Sequence, residues 1–377
     1  MLGFAGAAIV GVLLFSPNRR QTVPAVKKSG VVRCRPGRMA EYLGKLLESQ
    51  PEIREPFELG FAAMNTSNWG DAIRHFQAAV TATNGPGLVA LHNLIGVCHY
   101  TQGRLDAALK DFEESARLAD QYGDKQGESR ALGNIGRICH DNGDLDRALV
   151  LLDKALAISD DSKDPWATAI HLGYAGSVHH DKGELDRALQ YYEASLEISR
   201  DIGDQWGVAT QLASIGDIYH AQGELDKALE QHQEALAIAR QTGDRWCLTS
   251  NLDSIGSIYR DKGDLDQALK YDNEALAQAR EIGHQLGVAT ELGNVGLLLT
   301  ERSEHEQAVP KLAEALTILL TIGVVDGPRQ TLTGLTGCED HLGRKRLAEL
   351  LKEAGRADKA INDLFNRIDQ LRMRRPD

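Results

Sequence analysis

The sequence predicts an all-α fold, a solenoid of antiparallel helical hairpins. Three observations predict it: an internal repeat of forty residues, apolar residues spaced for one face of a helix inside each repeat, and a composition short of strand formers. Gly96, Gly136, Gly176, Gly216, Gly256 and Gly296 are forty residues apart, and so are Gly103, Gly143, Gly183, Gly223 and Gly263, with Ser303 ending that series. The columns Leu105 to Leu265 and Ala108 to Ala308 keep the same step. Such phasing marks a repeat architecture, which grows by stacking and need not split into domains. Aromatics are 5% of the chain, and Ala, Leu, Glu and Gln are frequent, which favours helices over strands.

Residues 124–163 show the mechanics of one unit. Asp124 stands where a carboxylate caps a first helix by accepting its unpaired N–H groups. Leu132, Ile135, Gly136 and Cys139 then fall on one helical face. Asn142-Gly143-Asp144 interrupts the helix, with glycine suited to a left-handed end and Asp144 placed to cap the second helix. Leu145, Ala148, Leu149, Leu152, Ala155 and Leu156 form the apolar stripe of that second helix. Gly136 and Ala148 are small where the two helices must approach closely.

The expected organisation runs from a leader at 1–38, through an irregular repeat and cap at 39–85 and six regular units at 86–323, to an irregular segment and closing hairpin at 324–377. Gly60, Trp69 and Ala72 carry the irregular unit. Gly323 to Gly343, with its extra glycines and Pro328, reads as the least regular stretch after residue 90, and Arg344 to Leu371 as the closing hairpin.

The net charge is −12, although residues 1–40 hold seven basic residues and no acid. The acidic body argues against nucleic acid as a partner, because phosphate binding needs a basic face. Five widely spaced cysteines without a C-x-x-C fit neither a disulfide framework nor a zinc site, and suit a reducing, cytoplasmic compartment. Leu2 to Phe15 is an apolar run of fourteen residues, short for a membrane span of about 20. Membrane contact is therefore confined to residues 1–38, which read as a tether that leaves the body in the cytoplasm, as a disordered leader, or as an upstream start with Met39 the real beginning.

The pattern L-x-x-[IV]-G-x-x-[YHC]-x-x-x-G-x-L-x-x-A-L, followed by A-L six residues on, resembles the tetratricopeptide repeat family over about Phe57 to Ile322. The unit is forty residues where that family commonly has 34, a style similar to Pins-type polarity scaffolds, kinesin light chains and bacterial peptide-sensing regulators. The resemblance implies a right-handed superhelix whose inner wall is lined by the first helix of each unit. It places Arg130, Arg137, His140, Asp141, His180, Asp181, Asp217, His220, Arg260 and Asp261 on that wall as candidate ligand contacts. The family's carboxylate clamp of Lys and Asn is missing, since the matching columns hold Gly133, Gly173, Ala213 and Asp253, and Arg137, Ser177, Asp217 and Ser257.

His140, His180 and His220 form a column that offers donors to an acidic ligand or is a solvated face copied by duplication. Repeats stack roughly 10 Å apart, too far for the three to share one zinc ion. His179 falls in a core column with Tyr219 and Tyr259, and Trp166, Trp206 and Trp246 fall where an aromatic seals neighbouring units. No P-loop, H-E-x-x-H or G-x-S-x-G occurs, so no catalytic residue, metal or cofactor is expected. The function expected is a protein-interaction adaptor that takes a peptide or helix in its concave groove. The alternatives are a self-associating scaffold at a membrane or assembly, and a peptide-sensing regulatory subunit.

Overall fold

A computed structural model describes residues 53–66, 68–324 and 328–373. The leader at 1–38 lies outside these residues. Among them there are seventeen α-helices and no strand, and no helix is long and apolar enough to cross a membrane.

Two compact units divide the chain, one ending at Ile218 and the other starting at Tyr219. The first holds the hairpins α1 (Arg54–Asn65) with α2 (Trp69–Ala82), α3 (Gly87–Thr101) with α4 (Leu105–Tyr122), α5 (Lys125–Asp141) with α6 (Leu145–Asp161), and α7 (Pro165–Asp181) with α8 (Leu185–Asp201). The boundary falls inside α9 (Gln205–Ala221). The second unit continues with α10 (Leu225–Thr242), then α11 (Arg245–Asp261) with α12 (Leu265–Glu281), and α13 (Gln285–Glu301) with α14 (His305–Thr321). It ends with α15 (Pro328–Leu342), α16 (Arg344–Glu353) and α17 (Asp358–Met373).

The ends of these helices follow from the capping residues. Asp124 accepts from Gly127 N at 2.9 Å, Asp164 from Ala167 N at 3.2 Å, and Asp244 from both Trp246 N and Cys247 N at 3.1 Å. Helix α5 closes by Asp144 N donating to Cys139 O at 2.9 Å, around Gly143 at φ +81°. Left-handed residues recur every twenty positions from Gly103 to Gly323, and the two places in that series without glycine, Lys163 and Ser303, hold φ +54° and +64° all the same. The repeat imposes the conformation and the residue complies.

The core is built from small residues facing large ones. Ala108, Ala148 and Ala188 in the first unit, and Ala228, Ala268 and Ala308 in the second, are fully buried. A Cβ added at Gly176 would stand 2.7 Å from the Tyr192 ring, so glycine there is a condition of the helix approach. Phe57, Phe61 and Phe76 close the start of the first unit with edge-to-face rings. Leu347, Leu351, Leu364 and Phe365 close the end of the second.

The stretch expected to be least regular contains helix α15. Gly323 and Gly343 stand at the two ends of the stretch with positive φ, and Gly334 inside the helix serves contact. A Cβ at Gly334 would stand 3.0 Å from both Leu297 and Leu312, so the small residue lets α15 seat on its neighbours.

Candidate functional site

The first helices of successive hairpins carry a ladder of side-chain bonds with a step of forty-one, one repeat plus one residue. In the first unit Asn134 Nδ2 donates to Asn93 Oδ1 at 2.9 Å, Tyr100 OH donates to Asp141 Oδ2 at 2.5 Å, and His140 Nε2 lies 2.9 Å from Asp181 Oδ2. In the second unit His220 Nε2 lies 2.7 Å from Asp261 Oδ2, and Asn294 Nδ2 donates to Asp253 Oδ1 at 2.9 Å. The step follows from packing: first helices of successive hairpins lie side by side, with three rungs at their last turns and the two asparagine rungs nearer their middles.

Of the ten candidate contacts, His140, His180, His220, Arg260 and Asp217 are half-buried, while Asp141, Asp181 and Asp261 are exposed. Asp181 gathers two imidazoles, with His180 Nδ1 at 3.3 Å beside the His140 contact. The hydrogen bond from His140, and after it that from His180, holds the Asp181 carboxyl well below the usual carboxylate range.

Arg130 and Arg137 correct the sequence reading. Both were expected as groove donors, and both are committed to the joints between hairpins. Arg130 donates to Asp164 at 2.8 Å, and that aspartate is almost wholly buried while it caps α7. Arg137 is 8% exposed, with its guanidinium carbon 4.3 Å from the Tyr100 ring centre and 5.3 Å from that of Tyr174. Its Nη1 also donates to Tyr174 OH at 3.3 Å. A planar cation between two rings keeps its charge without a carboxylate partner. A face assignment from the repeat said nothing of depth, and the tyrosines thirty-seven residues on either side were the signal.

His179 packs inside its own hairpin, and Trp246 packs against the next one. His179 stacks on Tyr191 with ring centres 5.0 Å apart and has Nδ1 2.9 Å from Glu184 Oε2. Trp246 lies 4.3 Å from the His284 ring.

Two buried polar features escaped the sequence reading. His171 is 2% exposed, with Nε2 3.0 Å from Ser129 Oγ, and burial pushes its imidazole down to about 4. Asp253, Asp272 and Glu291 bring three carboxylates together on α11, α12 and α13, with one ligand oxygen of each within 4.8 Å of the others. Burial, and after it the charge of Asp253, pushes Asp272 up to about 7.

Comparison with known proteins agrees with this geometry. A tetratricopeptide repeat profile matches residues 88–161, and the profile of the MalT-like TPR region matches residues 138–319. Together they span more than half of the chain, which is a stack of helical hairpins of the solenoid class. It belongs to the tetratricopeptide repeat family. No curated protein sequence matches it significantly.

Solved structures share the fold at low identity. A signal-transduction ATPase with a tetratricopeptide repeat sensor, from Pyrococcus horikoshii, is 18% identical with a TM-score of 0.63, over 84% of this chain and 46% of that one. BtubC from P. vanneervenii is 19% identical with a TM-score of 0.52, over 59% of this chain and 91% of that one. A Rap conjugation gene regulator in complex with the Phr* peptide is 16% identical with a TM-score of 0.55, over 72% and 74% of the two chains.

Proposed function

We propose that this chain is a protein-interaction module that takes a peptide or a helical segment of another protein along the first-helix face. The observation that carries the reading is the forty-one-step ladder. Its rungs are side-chain pairs near the surface, so a ligand can replace one member without opening the core. An acidic group on a partner takes the place of Asp181 against His140 and His180, and a basic group takes Asp181 itself. Exchanges of this kind cost little, because exposed pairs contribute only about 0–1 kcal/mol. They give specificity through charge pattern more than raw affinity.

In the first unit the residues proposed to meet the ligand are His140, Asp141, His180, Asp181 and Asp217. In the second, read on its own, they are His220, Arg260 and Asp261. Arg130 and Arg137 are left out because they are spent within the structure. The fold shared with a Rap regulator described in complex with a peptide supports the same reading.

The test uses short peptides selected from a random display library against the full chain. A His140→Ala/His180→Ala variant and an outward control, Lys154→Ala/Glu193→Ala on the second helices, are compared for affinity and melting temperature. The reading expects the first pair to weaken binding about tenfold, or about 1.4 kcal/mol, at unchanged melting temperature. Loss of binding in the outward control alone would move the site to the second-helix face.

A further inference from the structure

We propose that Asp253, Asp272 and Glu291 form a binding site for a hard divalent cation, Ca²⁺ in preference to Mg²⁺, between α11, α12 and α13. The repeat supplies its own controls. The three residues are nineteen apart, and the equivalent trios include Gly133, Leu152 and His171, Gly173, Tyr192 and Gln211, Ala213, His232 and Asn251, and Gly293, Leu312 and Thr331. None of these four trios holds an acid, whereas at this junction all three positions are carboxylates, and these are the three positions that meet.

The surroundings are made for the carboxylates. Asp272 and Glu291 are each 3% exposed. A Cβ added at Gly256 would overlap Asp272 Oδ1, so the column glycine that elsewhere admits a ring or a leucine here admits an acid. Asn294 donates to Asp253 Oδ1 at 2.9 Å, which fixes that carboxylate. Glu291 Oε2 is buried with no hydrogen-bond partner. A buried acceptor without a donor is costly and calls for an ion or a proton.

Charge and geometry together select the ion. Three carboxylates brought to one place repel one another when ionised. A divalent cation cancels two charges and gives Glu291 Oε2 a partner in one step. The donor set is all oxygen, which suits a hard cation over zinc. Oxygens within 4.8 Å of one another fit opposite or adjacent places around an ion with bonds of about 2.3–2.6 Å. Mg²⁺ gives up its water reluctantly, and two of these three ligands lie away from water. Asp253, half-buried, marks the side open to solvent.

The experiment uses the full chain, freed of metal with a chelator and titrated with CaCl₂ by calorimetry and by thermal unfolding. One Ca²⁺ per chain should bind, and 1 mM CaCl₂ should raise the melting temperature by about 4 °C. MgCl₂ at the same concentration should do less. Both effects should vanish in Asp272→Leu and in Asp253→Gly. These substitutions restore residues that other hairpins carry, so both variants should fold, and either one alone decides the question. No heat and no shift in the unaltered chain would overturn the proposal, as would an equal shift in both variants. A melting temperature that falls as pH rises from 5 to 8 without any response to Ca²⁺ would show that protons hold the cluster, and would overturn it too.

Discussion

His140 Nε2 lies 2.9 Å from Asp181 Oδ2, joining the last turn of one first helix to the last turn of the next. The pair is partly open to solvent, with side-chain exposures of 19% and 35%. A double-mutant cycle of His140→Ala and Asp181→Ala, followed by urea unfolding, should give a coupling of about 0.2–1 kcal/mol. A coupling above about 2 kcal/mol would make the ladder a structural girder and remove its value as an exchangeable contact.

Arg137 should behave in the opposite way. Its stem and guanidinium fill the space between the Tyr100 and Tyr174 rings. Arg137→Ala should cost about 2–4 kcal/mol in urea unfolding, through lost packing and cation–π contact. Arg137→Met keeps the stem and should recover at least half of that loss. Equal stability of the Ala variant and the unaltered chain would show that the sandwich contributes nothing.

His171 should make stability depend on pH. Burial holds the folded imidazole neutral down to about 4, whereas the unfolded chain takes up the proton near 6.5. Between these values the unfolded state binds more protons, so stability falls as pH drops from 6.5 toward 4 and then levels. The contribution is about 3 kcal/mol over that window and absent above it. His171→Gln, which places there the residue found at 211, should flatten this part of the profile. An unchanged slope between pH 4 and 6.5 would show that the ring is already charged in the fold.

Lys163 occupies a left-handed position that the repeat usually gives to glycine. Lys163→Gly removes the steric cost of the side chain at φ +54°, partly offset by the greater freedom of glycine in the unfolded chain. Stability should rise by up to about 1 kcal/mol, read as a shift in urea midpoint at constant slope. A fall would mean that the lysine side chain contributes more than its backbone costs.

The helices and their turns were legible because repetition turns weak local preferences into columns. Gly143 and Ala148 mean little alone, and much when Gly183 and Ala188 follow forty residues later. The same habit of reading hid the special sites. Arg137 shares a column with Ser177, Asp217, Ser257 and Leu297, so the column named a face and could not report burial between two tyrosines. The carboxylate cluster was invisible for a related reason. Asp253, Asp272 and Glu291 belong to three different columns, and only the fold shows that positions nineteen apart on successive helices converge. Between Gly323 and Gly343 glycine has two uses that sequence does not separate: Gly323 and Gly343 hold positive φ, whereas Gly334 makes room for Leu297 and Leu312.

The central claim, that a ligand is read by the first helices, is tested most directly by amide hydrogen exchange with and without a display-selected peptide. The account expects slowed exchange on binding in the last turns of first helices within one unit, α5 and α7 around His140 and His180, with the exposed faces of α6 and α8 unchanged. Protection confined to α6 and α8, or spread evenly over both helices of every hairpin, would contradict it.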